Sequence, residues 1–108
     1  MITVAAALAA LAMNAEPAKL PFPPPRLITV TEKTKCDMGT VLSVEAQKGV
    51  LRVTTPAGVV TYKAGPEVQV FEKDGKPAGG IARLQPNEKV RVYYVVDNGA
   101  QVGEVDLE

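Results

Sequence analysis

From Met38 onward the chain runs in short β-branched stretches broken by turn residues about every ten positions, and no stretch carries a helical period of apolar residues. A chain punctuated this often has room for strands but not for packed helices. Its 108 residues allow one hydrophobic core. The expected fold class is therefore all-β: a small OB-like barrel of about five to seven antiparallel strands, with a short helical turn. A two-layer sandwich would use the same hairpins, so closure stays open at this point.

The turns act as hinges that test which residues can face each other. Asp97-Asn98-Gly99-Ala100 carries the Asn-Gly pair that suits a tight hairpin, and folding there sets Val90 against Leu107, Val92 against Val105 and Tyr94 against Gly103. The other face then matches Arg91 with Asp106, Lys89 with Glu108 and Tyr93 with Glu104. Upstream, Ala46-Gln47-Lys48-Gly49 places Val44 opposite Leu51 and Leu42 opposite Val53. Thr55-Pro56-Ala57-Gly58 places Val53 opposite Val60 and Leu51 opposite Tyr62. One inner face of Leu42, Val44, Leu51, Val53, Val60 and Tyr62 results. Val68 to Glu72 forms a fourth strand ending at Asp74-Gly75, Ile81 to Leu84 one helical turn, and Pro86-Asn87 the break before the strand that starts at Lys89.

Ahead of the barrel, expected over residues 27–108, stand two further segments. Residues 1–15 resemble a signal peptide: the apolar run Ile2 to Met13 is too short to span a bilayer and is followed by a plausible cleavage region at Asn14-Ala15-Glu16-Pro17. No Lys or Arg precedes that run, so an Ala-rich buried helix is the competing reading. Residues 16–26 contain Leu20-Pro21-Phe22-Pro23-Pro24-Pro25-Arg26, where successive prolines fix φ and remove donors, giving an extended polyproline spacer. Its PxxP spacing also permits a proline-recognition ligand. Lys33-Thr34-Lys35 before Cys36 rules out a lipobox, and no stable membrane insertion is expected.

The phrases Gly39-Thr40-Val41-Leu42-Ser43-Val44, Leu51-Arg52-Val53-Thr54-Thr55, Asp74-Gly75-Lys76-Pro77-Ala78 and Leu84-Gln85-Pro86-Asn87-Glu88-Lys89-Val90-Arg91-Val92 resemble exported bacterial OB-like β-barrel domains of unknown function. The resemblance covers about residues 38 to 107. It implies fold and export, and brings no catalytic residues. Such families often carry glycine where Asn87 stands here, and Asn tolerates the left-handed conformation such a position asks for.

Composition narrows function by exclusion. Lys and Arg number 12 and Asp and Glu number 12, so the chain lacks the positive surplus with which nucleic-acid binders displace counterions. There is no histidine, which removes the commonest general base and the commonest metal ligand. Catalysis, a cofactor and a resident metal are accordingly not expected. Cys36 with Met38 offers two soft ligands, too few for a site, and as the single cysteine Cys36 can pair only with another chain. Asp74 with Glu72 and Asp97 with Glu104 read as solvated acids beside tight turns. The acidic tail, with Asp97, Glu104, Asp106 and Glu108 and no Lys or Arg among them, is the one lopsided stretch.

The expected role is a non-catalytic exported binding or structural module of the cell envelope, periplasmic or secreted, with another envelope protein as partner. Nothing in the sequence sets an oligomeric state. The expected interaction surface is Tyr93, Val95 and Val102, an outer apolar patch covered either by Leu27, Ile28 and Val30 as an added arm or by a partner. The alternative is an OB-like oligonucleotide or oligosaccharide binder using an outer face with Arg52, Lys63, Arg91 and Tyr93. Expressed in a bacterium with its native start, the chain is expected outside the cytoplasm and lacking about its first fifteen residues, read by fractionation and intact mass. Recovery of the intact chain in the cytosol would contradict the export reading.

Overall fold

The β-branched runs become seven strands: β1 (Lys35–Glu45), β2 (Val50–Thr55), β3 (Gly58–Lys63), β4 (Gln69–Phe71), β5 (Pro77–Gly79), β6 (Lys89–Val96) and β7 (Ala100–Leu107). They are seen in a computed structural model that describes residues 20–108. The leader expected over residues 1–15 and the start of the proline-rich segment lie outside the described residues.

β1 pairs with both β2 and β6, β2 with β3, and β6 with β7, all antiparallel. The ring closes where β3 meets β7 in parallel, at Tyr62 opposite Ala100 and Lys63 opposite Gln101. The result is a closed five-stranded barrel, in the order β1-β2-β3-β7-β6. β4 continues along the same edge of β7, again in parallel, and β5 pairs with β4 as a short hairpin. Hairpin reasoning yields only the antiparallel ladders. The two parallel contacts join distant segments and carry no local turn signal.

Most expected registers hold. Val90 faces Leu107, Arg91 faces Asp106, Val92 faces Val105 and Tyr93 faces Glu104. Leu51 faces Tyr62 and Val53 faces Val60. Two β-bulges shift the rest, each adding one residue to one strand and reversing the faces beyond it. In β1, Val41 pairs with Val53 and Ser43 with Arg52, which leaves Leu42 as the extra residue. Leu42 is therefore not on the inner face: it is 49% exposed, while Val41 is buried in its place. In β7, Tyr94 pairs with Val102 and Val95 with Gln101, so Gly103 is passed over and Val95 does not face Val102.

The core gathers Val41, Leu51, Val53, Tyr62, Val92 and Val105, with Val102 turned inward by the second bulge. Gly39 is required where β1 crosses β2, since a Cβ there would run into the carbonyl oxygen of Thr54 and the side chain of Val53. The expected helical turn is a 3-10 turn over Ile81–Arg83 that buries Ile81 at one end of the barrel, with Leu84 buried beside it. Arg83 fixes this cap by donating to Glu72 at 2.8 and 2.9 Å and to Glu88 at 3.2 Å. Asn87 takes φ 76°, the left-handed conformation expected of it.

Asn98 and Gly99 both lie at positive φ, 57° and 102°, in the β6–β7 turn. Replacing both with Val forces two β-branched residues into that region. The expected cost is more than about 1 kcal/mol of stability by thermal or denaturant melting. An unchanged melting temperature would contradict the turn's role in setting the register.

Candidate functional site

Much of the outer face of β6 and β7 is covered. From Leu20 onward the proline-rich segment, read in the sequence as a spacer, lies against it as a strap. The Phe22 ring meets Tyr93 edge to face with centroids 5.9 Å apart, and the Tyr93 hydroxyl donates to the Pro23 carbonyl at 2.6 Å. Successive prolines hold this stretch extended and leave its carbonyls free to accept. Ile28 fills the space above Gly103, where an added Cβ would sit 3.3 Å from the Ile28 side chain. The gap opened by that glycine is thus filled by the strap rather than by the Tyr94 ring.

Past the prolines the strap regains backbone N–H groups, and Glu104 takes them. Its carboxylate accepts from the backbone N–H of Arg26 at 2.7 Å, Leu27 at 2.8 Å and Ile28 at 3.0 Å. Glu104 and Asp106 are both fully buried, on the same face of β7. Burial alone would raise the Glu104 carboxyl, but the hydrogen bonds from Asp106 and the three N–H groups hold it below the usual carboxylate range. Asp106 goes the other way: burial, and then the Glu104 carboxylate beside it, push it up to about 7. Its Oδ2 faces Arg91 at 3.5 Å and Arg26 at 4.0 Å, whereas Oδ1 is buried with no other partner. Two neighbouring carboxyls can hydrogen-bond to each other only if one of them carries a proton, so an Asp106 held neutral is the state that gives Oδ1 a partner in Glu104. The expectation that Glu104 is a solvated acid is overturned: it is buried next to Asp106, beneath the strap.

The expected surface residues are brought together in a different arrangement. Tyr93 is fully buried under the strap, Val102 belongs to the barrel core, and Val95 is half-buried. All three border one groove of about 270 Å³, which is also lined by Tyr94 and by Ile28, Thr31 and Thr34 from the segment ahead of β1. Of the anticipated arm, Ile28 reaches this groove and Leu27 is 62% exposed. The second anticipated face does not assemble as a free basic stripe. Arg52 is bound to Glu45 at 2.9 Å, Lys63 to the Asn98 carbonyl at 2.7 Å, and Arg91 to Glu108 at 3.0 Å and the Tyr93 hydroxyl at 3.1 Å.

At the end of the barrel near Tyr94, Asp37 accepts the Tyr62 hydroxyl at 2.6 Å, and Tyr94 packs edge to face on Tyr62 at 5.3 Å. Burial and then Asp37 push the Tyr94 hydroxyl up to about 12. Cys36 and Met38 share the outer face of β1 beside Phe22 and Pro21. Burial pushes the Cys36 thiol up to about 11, so it stays protonated near neutrality, a poor state for a ligand or nucleophile. Among the described residues no three His, Cys, Asp or Glu side chains gather at metal-binding spacing.

Five strands closed by a parallel β3–β7 contact, with a short cap between the later strands, define an OB-like small β-barrel. The chain is similar to a solved structure of a copper(II)-bound tryptophan-to-alanine variant of CusF from Escherichia coli. The TM-score is 0.53 at 10% identity, over 75% of this chain and 99% of that one. This likeness is one of fold. No family model matches the chain, and no curated protein does.

The strap's hydrogen bonds differ in kind, and so should their removal. Tyr93→Phe takes away a single bond to the strap, the one to the Pro23 carbonyl, along with the contact from Arg91, which keeps Glu108, and is expected to cost about 1–2 kcal/mol. Glu104→Gln weakens three charge-assisted ones and is expected to cost about 2–3 kcal/mol in denaturant melts. Equal stability of both variants and the parent would contradict the strap's place in the fold.

Proposed function

We propose that this chain is a non-catalytic, exported binding module of the cell envelope whose ligand is an extended segment of another protein, received through an apolar side chain in the groove between strap and barrel. The observation that carries this reading is the groove itself. Val95, Val102, Tyr94 and Ile28 give it an apolar lining, to which Thr31 and Thr34 add hydroxyl groups. The face next to it already holds an extended chain segment, the strap, through a stacked ring and backbone hydrogen bonds. An extended ligand laid alongside would meet the same kind of surface.

The alternatives have less support. Oligonucleotide binding on an OB-like face calls for exposed aromatics among free cations, whereas Tyr93 is covered and Arg52, Lys63 and Arg91 are engaged by the chain itself. The copper in the CusF structure suggests metal binding, but the soft ligands here are one protonated thiol and Met38, in a chain without histidine. The carboxyl pair that most resembles acid–base machinery is sealed beneath the strap, away from the groove.

A photo-crosslinking residue at Val95, in cells expressing the full chain, is expected to give a discrete adduct with one envelope protein. The same probe at Val59, an exposed position on β3, should not give it. Val95→Asp should remove binding of that purified partner without lowering the melting temperature by more than about 3 °C. Identical adducts from both positions, or salt-sensitive oligonucleotide binding in place of the adduct, would overturn the proposal.

A further inference from the structure

We propose that the strap is a proton-controlled latch: the Glu104–Asp106 pair holds residues 23–28 on the barrel while it carries one proton, and loss of that proton releases them and takes Ile28 out of the groove's lining. The device goes beyond the protein-binding reading and stands whether or not the ligand is a protein.

Its parts are geometric. Glu104 is the shared acceptor for three consecutive strap N–H groups, so the strap's hold depends on that carboxylate staying charged and in place. Asp106 stands one pleat further along the same face, fully buried, with Oδ1 left without a hydrogen-bond partner unless Asp106 keeps its proton and donates toward Glu104. A second buried negative charge at this spot would have to be balanced by one arginine already shared and one that is distant and partly exposed. From β6, Arg91 also serves Glu108 and the Tyr93 hydroxyl. From the strap, Arg26 stands 4.0 Å away with its side chain 37% exposed, and its guanidinium rests against Gly75 beside the Asp74–Lys76 pair. From β1 comes the neutral Cys36 thiol, and from β4 only Gln69 and Phe71, opposite Glu104 and Asp106. Glu108, just past the end of β7, adds a further negative charge.

The direction follows from linkage. With the strap lifted, both carboxyls are hydrated and Asp106 returns toward its ordinary value near 4. The docked state therefore binds the Asp106 proton more tightly than the released state. Docking weakens as pH rises from about 4 and is weakest once the pH passes about 7, the docked value. Glu104 has the opposite sign: docking keeps it ionised, so acid below its ordinary value, about 4.3, also weakens the strap. The latch is tightest in mild acid. On release the proton leaves Asp106 for water, and Tyr93 and both carboxylates become exposed.

Amide hydrogen exchange in the full chain, followed by NMR and corrected for the intrinsic pH dependence, reads the latch directly. Between pH of about 5 and about 8, protection of the Leu27 and Ile28 amides should fall at least tenfold, while Leu51 and Val53 in β2 keep theirs. Asp106→Asn keeps a donor toward Glu104 and cannot ionise, so its strap protection should be flat over that range. Equal protection of the parent at both pH values, or a variant that falls as the parent does, would overturn the proposal. Should the variant not fold, the carboxyl carbon shift of Asp106 in the parent decides: a midpoint near 7 supports the latch, and one below about 5 overturns it.

Discussion

A buried carboxylate is among the costliest groups a small domain can hold, and it persists only when fully hydrogen-bonded. Glu104 meets that condition through three backbone N–H groups that the barrel strands do not supply; they come from the strap. Remove the strap and Glu104 has no sufficient partners; remove Glu104 and the strap loses its charged anchor. The interdependence gives this barrel two packed layers on its β6–β7 side: the core within, and Phe22, Pro23 and Ile28 over Tyr93 and Gly103 without. The groove beside Val95 exists because the strap stops short of covering that face completely.

β7 is the element on which these constraints converge. One edge pairs with β6 along its length, the other takes first β3 and then β4, and its outer side chains hold the strap. A strand engaged on both edges and both faces has little freedom to slip. The Gly103 bulge reconciles its two ends. It turns Val102 into the core while leaving Glu104 and Asp106 on the outer face.

Local chemistry made much of this legible in the sequence. The Asn-Gly turn and the opposed Arg91 and Asp106 set the closing hairpin correctly from Val90 to Tyr93, and Pro56 with Gly58 set the β2–β3 register. Both bulges escaped the reading. Val41 and Leu42 are equally apolar neighbours, so alternation alone cannot choose which faces inward, and Gly103 suited an unpaired bulge as well as a place beneath a ring. The strap was hidden for a different reason: a run of prolines is extended whether solvated or docked, and its sequence does not reveal the difference. One signal was available, the unbalanced acids of the tail. Glu104 and Asp106 lie two apart on a strand, so they share a face. Paired on only one flank by Arg91, they required a further partner, which proves to be Arg26 and the strap backbone.

If the carboxylate-anchored strap is what organises the outer face, residues 22–28 must be docked in solution. The direct measurement is nuclear Overhauser contact in the full-length chain near neutral pH or slightly below. The account predicts cross-peaks between the Phe22 and Tyr93 rings and from the Ile28 methyls to the Gly103 α-protons. Random-coil shifts for residues 22–28, with neither contact present, would contradict it.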